Sequence, residues 1–432
     1  EPYVLTSGND FNLTNIRITA DGKTIFFADD PSKGEYKLYY RKVDEKTPKG
    51  KDADSIGTRI ASGVKDFKIQ KDGKFVLYLK DDRLYFSDLK EERLISRDVS
   101  YYTISSDEKK VIFEKYDDGS LYVCGLGKED KPEKIDSDIT RTVSPIIDYE
   151  NMYYIKDSAL YLNKYGKDKE KLAKDVVSAA IINDQVYVIK YAESDEAVGY
   201  TLYKLEKGKE VEIADRLARG SFSTFRDNYY DEVYLSGGNV AIFFRMPDDY
   251  DPEDYDYDDE YEMYIINGNN PPFKAMDVEM SKIGPYSLSD DGKYLYIIEE
   301  WDDSDSVGEL YRYTIGSGSL SDRTRICDEV ASFIISGSSV ATRSSMGEHT
   351  VLGIYADGKY TELTDEGGYY NTYDIVNNAM FYLDEFSSQS YTGTLMLYKN
   401  GRSQKIDADV YSFDARSDDY IVYIKDFSTR RN

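Results

Sequence analysis

Apolar and polar residues follow a repeated order along the chain: a short apolar strand, a polar turn, then a longer aromatic strand. "RITADGKTIFFADD" from Arg17, "KIQKDGKFVLYLKDD" from Lys68, "TISSDEKKVIFEKYDD" from Thr103 and "SLSDDGKYLYIIEEWDD" from Ser287 all share it. Asp-Gly and Asn-rich pairs supply the positive φ angles of tight hairpin turns. Looser copies of the turn fall at Tyr149-Glu150, Asn183-Asp184, Gly237-Gly238, Gly337-Ser338, Asn377-Asn378 and Asp418-Asp419. Ten such turns between Asp21 and Asp418 recur about every 44 residues, the mark of a repeat architecture.

After each turn comes a strand carrying Leu-Tyr or Met-Tyr: Leu38-Tyr39, Leu84-Tyr85, Leu121-Tyr122, Leu160-Tyr161, Leu202-Tyr203, Met263-Tyr264, Leu310-Tyr311 and Leu397-Tyr398. The eighth unit departs, with Leu352-Gly353. A short polar-apolar strand follows, such as "RLIS" from Arg93 or "RTRICDEV" from Arg323, so each unit has four strands. Four strands in roughly 40–45 residues, repeated, predict β-propeller blades. No segment sustains helical spacing of apolar residues, which argues against a repeat of helix pairs. The expected fold is all-β, one β-propeller over residues 1–432, as a single ring of eight to ten blades or as two smaller fused rings. Nine units from Arg17 to Val410 read as complete, while residues 411–427 supply two strands. Residues 2–7, "PYVLTS", are the candidate to complete that last blade and remove an aggregation-prone open edge.

Composition narrows the partners. A formal charge of −27 repels phosphate backbones and anionic headgroups, so no nucleic acid and no membrane surface is expected. No apolar run approaches the ~18 residues of a bilayer span. The 43 tyrosines suit half-buried pleated strands, where the ring packs and the hydroxyl reaches water. Cys124 and Cys327 lie in different units and are expected to stay unpaired. His349 is the single histidine, which rules out multi-histidine metal sites and paired-histidine acid–base chemistry. It lies near "SSMG", but no G-x-S-x-G elbow accompanies it. The first residues, "EPYVLTSGND", leave room for a removed signal peptide or amino-terminal anchor.

The Asp-Gly-Lys turn and Leu-Tyr strand of "SDDGKYLYIIEE" from Ser289 resemble those of bacterial TolB-like propellers. They are also similar to the low-density-lipoprotein-receptor-like propellers of secreted or anchored bacterial proteins. The resemblance spans nearly the whole chain and rests on residues that a blade needs to fold. It implies a propeller, a secreted or cell-surface location in a bacterium, and protein binding as the commonest role. The propeller of the prolyl-oligopeptidase family is a fainter likeness, and the hydrolase domain that supplies that family's chemistry is not expected within residues 1–432.

One stretch breaks the regularity. "DDYDPEDYDYDDEYEMY", Asp248 to Tyr264, holds ten carboxylates and five tyrosines in seventeen residues. It falls between the second and third strands of the sixth unit, where Gly238 and Met263 are 25 residues apart, the longest such connection. "AESDEAVGYT" from Ala192 and "WDDSDSVGE" from Trp301 enlarge the same connection in the flanking units, and repeat proteins tend to carry such insertions on their binding face. The candidate ligand-binding residues are therefore Asp249, Asp251, Tyr255, Asp256, Tyr257 and Asp258 in the insertion, with Trp301, Asp303 and Asp305 beside it. The competing expectations are a solvated loop for the carboxylates and a ring packed under its neighbouring loop for Trp301. No cofactor is expected. Calcium is the metal this composition suits, yet both registers of the acidic stretch fail the EF-hand pattern, with Asp259 or Asp254 where the turn glycine belongs. The functional expectation is a non-enzymatic propeller binding a protein, peptide or glycan through this acidic, tyrosine-rich face. The alternative is a hydrolase or lyase using two carboxylates, with calcium assisting.

Overall fold

A computed structural model describes residues 16–29, 34–43, 57–105, 107–116, 119–142, 151–164, 169–192, 199–217, 222–223, 233–236, 240–246, 260–268, 270–289, 291–346, 349–368, 372–415, 417 and 420–425. Residues 2–7, Asp249 to Asp258 and the turns at Tyr149-Glu150, Gly237-Gly238 and Asp418-Asp419 lie outside them.

Strands dominate, in up-and-down antiparallel order. Ile16–Ile18, Thr24–Asp29, Tyr36–Lys42 and the first half of Thr58–Ile69 form one four-stranded unit. The second half of Thr58–Ile69 opens the next, with Val76–Lys80, Arg83–Ser87 and Glu92–Arg97. Leu320–Ser336 and Arg402–Ala415 are shared between successive units in the same way. The four-strand period read from the turns is thus the observed one. The last unit contributes the end of Arg402–Ala415 and Ile421–Lys425, the two strands expected from Tyr411 onward. In the sixth unit a short strand, Phe222–Ser223, also runs parallel to Val233–Ser236.

The turn chemistry holds where it is described. Asn183 and Asn377 have φ of 48° and 49°, their successors Asp184 and Asn378 have 59° and 63°, and Gly22, Gly73 and Gly292 lie near 67°. That is the doubly left-handed geometry of a two-residue hairpin or its Asp-Gly relative.

Cores form between the faces of successive sheets. Phe26, Leu38, Val64 and Tyr78 join the first and second units. Val240, Phe244, Met263, Ile265, Leu295 and Ile297 join the sixth and seventh. The leucine of the third strand is buried in unit after unit, as at Leu38, Leu84, Leu160, Leu202 and Leu310. Its tyrosine neighbour faces an aromatic on the second strand: Phe27–Tyr39, Tyr78–Tyr85, Phe113–Tyr122, Tyr154–Tyr161 and Phe243–Tyr264 are stacked at 5.2–5.6 Å. Each such pair adds about 0.5–1.5 kcal/mol beyond its buried area. Seven of the tyrosines thus stand in cross-strand aromatic pairs.

Packing explains two details of the repeat. In the ninth unit the fully buried leucine is Leu395, paired across from Leu383, whereas Leu397 is only half-buried. In the eighth unit Gly353 replaces the tyrosine because Tyr360, on the adjoining strand, already fills that space: a Cβ at Gly353 would lie 2.1 Å from its hydroxyl.

The chain divides into two compact bodies. The amino-terminal one comprises residues 1–141, 147–152 and 163–168, and the carboxy-terminal one the rest. Where one unit passes to the next, a left-handed residue commonly precedes a buried aliphatic one: Gly63-Val64 and Asp98-Val99 in the first body, Asp175-Val176, Arg216-Leu217, Glu329-Val330 and Asp409-Val410 in the second. The single positive φ turns the chain out of one sheet and sends the aliphatic side chain into the next core. The passage from the sixth to the seventh unit is different, because a 3₁₀ turn, Met280–Lys282, replaces the one-residue kink.

Candidate functional site

The acidic stretch begins after Met246 and rejoins the sheet at Glu260. Arg245↔Glu262 pairing puts its two ends side by side on neighbouring strands. The expected insertion therefore runs only to Asp259. Tyr261 and Met263 are core residues, with Tyr261 6% exposed and packed among Ile283 and Tyr286, so Tyr261 is unavailable to a partner.

A ladder of charges braces this stem. Arg245 Nε donates to Asp215 Oδ1 at 2.8 Å and its Nη1 to Glu262 Oε2 at 2.9 Å. Lys274 Nζ donates to the other Glu262 oxygen at 2.9 Å and also pairs with Asp277. For Glu262, burial alone would raise the pKa, but Lys274 and Arg245 outweigh it and hold the carboxyl below its usual range. Asp215 is likewise held low, with Arg245 outweighing its partial burial.

Beside the stem, the outer strand of the sixth unit and the second to fourth strands of the seventh enclose a groove of about 620 Å³. Ala275, Met276, Val278, Ile283, Leu320 and Tyr313 give it apolar surface. Glu260, Asp277, Glu279, Glu299, Glu300 and Asp322 line it with carboxylates, against the cations Lys282 and Arg323. Lys282 pairs with Glu279. Arg323 donates to Glu299 Oε2 at 2.6 Å and lies 3.8 Å above the Tyr311 ring, while Tyr313 donates to Glu299 Oε1 at 2.5 Å. The groove opens at the passage where Met280–Lys282 lengthens the connection.

Trp301 follows Glu300 and caps the same end of the seventh unit. A Cβ at Gly284 would meet its ring at 2.3 Å, so the indole lies flat against the Gly284 backbone. Its Nε1 donates to Asp303 Oδ1 at 2.7 Å. Asp302 accepts from Ser304 N and Ser304 Oγ at 2.8 and 2.5 Å, which tightens the turn, and Asp303 and Asp305 are exposed. Of the candidate residues, the structure thus brings Trp301 and Asp303 into direct contact. Tyr191 and Tyr391, 66% and 56% exposed, sit at the second-to-third-strand connections of the fifth and ninth units, where the sequence had offered only connection lengths.

Among the described residues no group of three or more His, Cys, Asp or Glu side chains is arranged to hold a metal ion. His349 is exposed at the start of a strand. Cys124 and Cys327 are free and buried, and burial pushes the Cys327 thiol up to about 12. No helix among the described residues is long and apolar enough to cross a membrane.

No protein-family model matches the sequence. No curated protein sequence matches it. Among solved structures, a eukaryotic initiation factor aligns with a TM-score of 0.50 at 10% identity, over 91% of this chain and 96% of that one. Dipeptidyl peptidase 4 of Porphyromonas gingivalis aligns at 0.41 and 10% identity, over 91% and 60%. The β-propeller domain of the Trilobed protease from Pyrococcus furiosus aligns at 0.33 and 13% identity, over 83% and 97%. Identities this low speak for fold and nothing else. Taken with the run of four-stranded antiparallel units, the chain is an all-β protein of the β-propeller class.

Proposed function

We propose that this protein is a non-enzymatic propeller scaffold that binds a protein partner through the insertion-bearing end of its carboxy-terminal body. The observation carrying the reading is the groove beside the stem from which the acidic insertion springs, whose walls mix apolar surface with carboxylates and reach Glu300, the residue before Trp301. Of the corresponding connections in the unit repeat, the one that carries this insertion is the longest, with Gly238 and Met263 25 residues apart. A braced stem supports the same reading, since the Asp215–Arg245–Glu262–Lys274 ladder holds both ends of the insertion on rigid strands. The TolB-like and low-density-lipoprotein-receptor-like turn motif supports a secreted or cell-surface role in a bacterium.

Replacing residues 247–259 with Asn-Gly closes the hairpin between Met246 and Glu260 and should leave the fold intact, because surface insertions add little to core stability. Crosslinking on intact bacterial cells, read by mass spectrometry, should place partner peptides on the insertion, Glu260 to Lys282 or the Trp301 turn, and the shortened chain should lose them. Crosslinks confined to other surfaces, or unchanged by the replacement, would refute the proposal. Calcium enters the proposal only as a screen for the insertion's charge; a specific site at 100 times its dissociation constant would stabilise the fold by about 2.7 kcal/mol, which a thermal melt detects.

A further inference from the structure

We infer that the groove between the sixth and seventh units receives a lysine- or arginine-bearing segment of that partner. This rests on the binding-face reading and names the partner's chemistry.

The argument begins with which charges are already satisfied. Glu279 is taken by Lys282, Glu299 by Arg323 and Asp277 by Lys274. These pairs use both cations of the lining. Glu260, Glu300 and Asp322 line the groove without a basic partner among the described residues, and all three are exposed. The groove therefore keeps an excess of three negative charges after its internal pairs are formed. An anionic occupant would meet that excess directly. A purely apolar one would strip water from three carboxylates and return nothing. A lysine or arginine side chain matches both parts, because its aliphatic stem covers apolar surface such as Val278, Ile283 and Leu320 while its charged end stays at the wet rim.

The volume of about 620 Å³ lies in the range of ligand-holding clefts, roughly 300–1,000 Å³. The surroundings act in the same direction. The ten carboxylates from Asp248 to Glu262 end in the strand that supplies Glu260, and the whole chain carries −27. Such a field draws a cationic segment toward this end before contact is made.

The test uses the full chain and a fluorescein-labelled peptide of alternating lysine and alanine, followed by fluorescence anisotropy. Wild-type protein should bind it at about 50 mM salt and lose it progressively by about 300 mM. The same peptide with every lysine acetylated should bind far more weakly. Glu260→Gln/Glu300→Gln/Asp322→Asn should weaken binding roughly tenfold, whereas Glu129→Gln/Glu133→Gln/Glu170→Gln, which removes the same charge at exposed positions elsewhere, should change it little. Equal losses in the two triple variants, equal binding of the acetylated peptide, or no binding by wild type would each overturn the inference. If the groove variant binds normally while replacement of residues 247–259 abolishes binding, the groove is not the seat, yet the insertion-bearing end remains the binding face.

Discussion

Trp301 allows the packing at the insertion-bearing end to be tested by its own emission, because it is the single tryptophan of the chain. Gly284→Ala is the perturbation. The new methyl would stand 2.3, 2.8 and 2.9 Å from Cε3, Cζ3 and Cδ2 of the indole. Ordinary carbon–carbon contact is about 3.5–4.0 Å, so the ring must retreat by about 1 Å. An indole is rigid, and it is tethered by the 2.7 Å bond from Nε1 to Asp303, so it cannot bend away at one end. Gly284 lies in the strand Ile283–Leu288, whose register already shifts between Ile283 and Tyr286, so part of the strain can be relieved by that strand moving. Overpacking of this kind costs about 1–3 kcal/mol. Denaturant unfolding followed by far-ultraviolet circular dichroism should show a midpoint shift of that size with an unchanged slope. Steady-state fluorescence should show a red-shifted maximum and stronger acrylamide quenching as the indole is levered toward water. Asp303→Ala should add to the quenching, whereas Asp303→Asn keeps an acceptor and should not. If Gly284→Ala leaves emission, quenching and midpoint all unchanged, the indole does not rest on Gly284, and Trp301 is free to serve as a partner anchor after all.

Gly353→Ala sets a methyl 2.1 Å from the Tyr360 hydroxyl and 2.4 Å from its Cζ, and should cost about 1–3 kcal/mol in the same unfolding assay. Arg245→Met removes the partner of Asp215 and Glu262 together and should destabilise the chain by about 1–3 kcal/mol near neutral pH. Both carboxyls are held below their usual range, so their contribution is complete above the ordinary carboxylate pKa and is lost as pH falls through the depressed values. The deficit of Arg245→Met relative to wild type should therefore shrink on acidification, and a deficit that is flat or grows would contradict the ladder. Cys124 and Cys327 are buried with pKa values raised chiefly by that burial, so a thiol reagent should label neither in the native protein and both after denaturation without reductant. Rapid native labelling of either would place it outside the core.

The unit period, the four strands per unit and the hairpin turns were legible in the chain because each rests on local chemistry. Positive φ favours Gly, Asn and Asp within a two-residue turn, and a pleated strand turns alternate residues to one face, so Asn183-Asp184 or Leu38-Tyr39 can be read without knowing what packs above them. What the local pattern left open was decided across strands. Leu395 and Leu397 share one strand face by the period of two, and only the packing of the neighbouring strands seals Leu395 completely while leaving Leu397 at the edge of the same core. Tyr261 reads as part of an acidic loop until Val278 pairs with it and closes the core over it. Gly353 looks like a lapse in the motif until Tyr360 arrives from the next strand. The groove joins Glu260 to Arg323 across two units, and Trp301 is held down by a glycine seventeen residues earlier; both depend on how neighbouring sheets face one another, which no local pattern of side chains encodes.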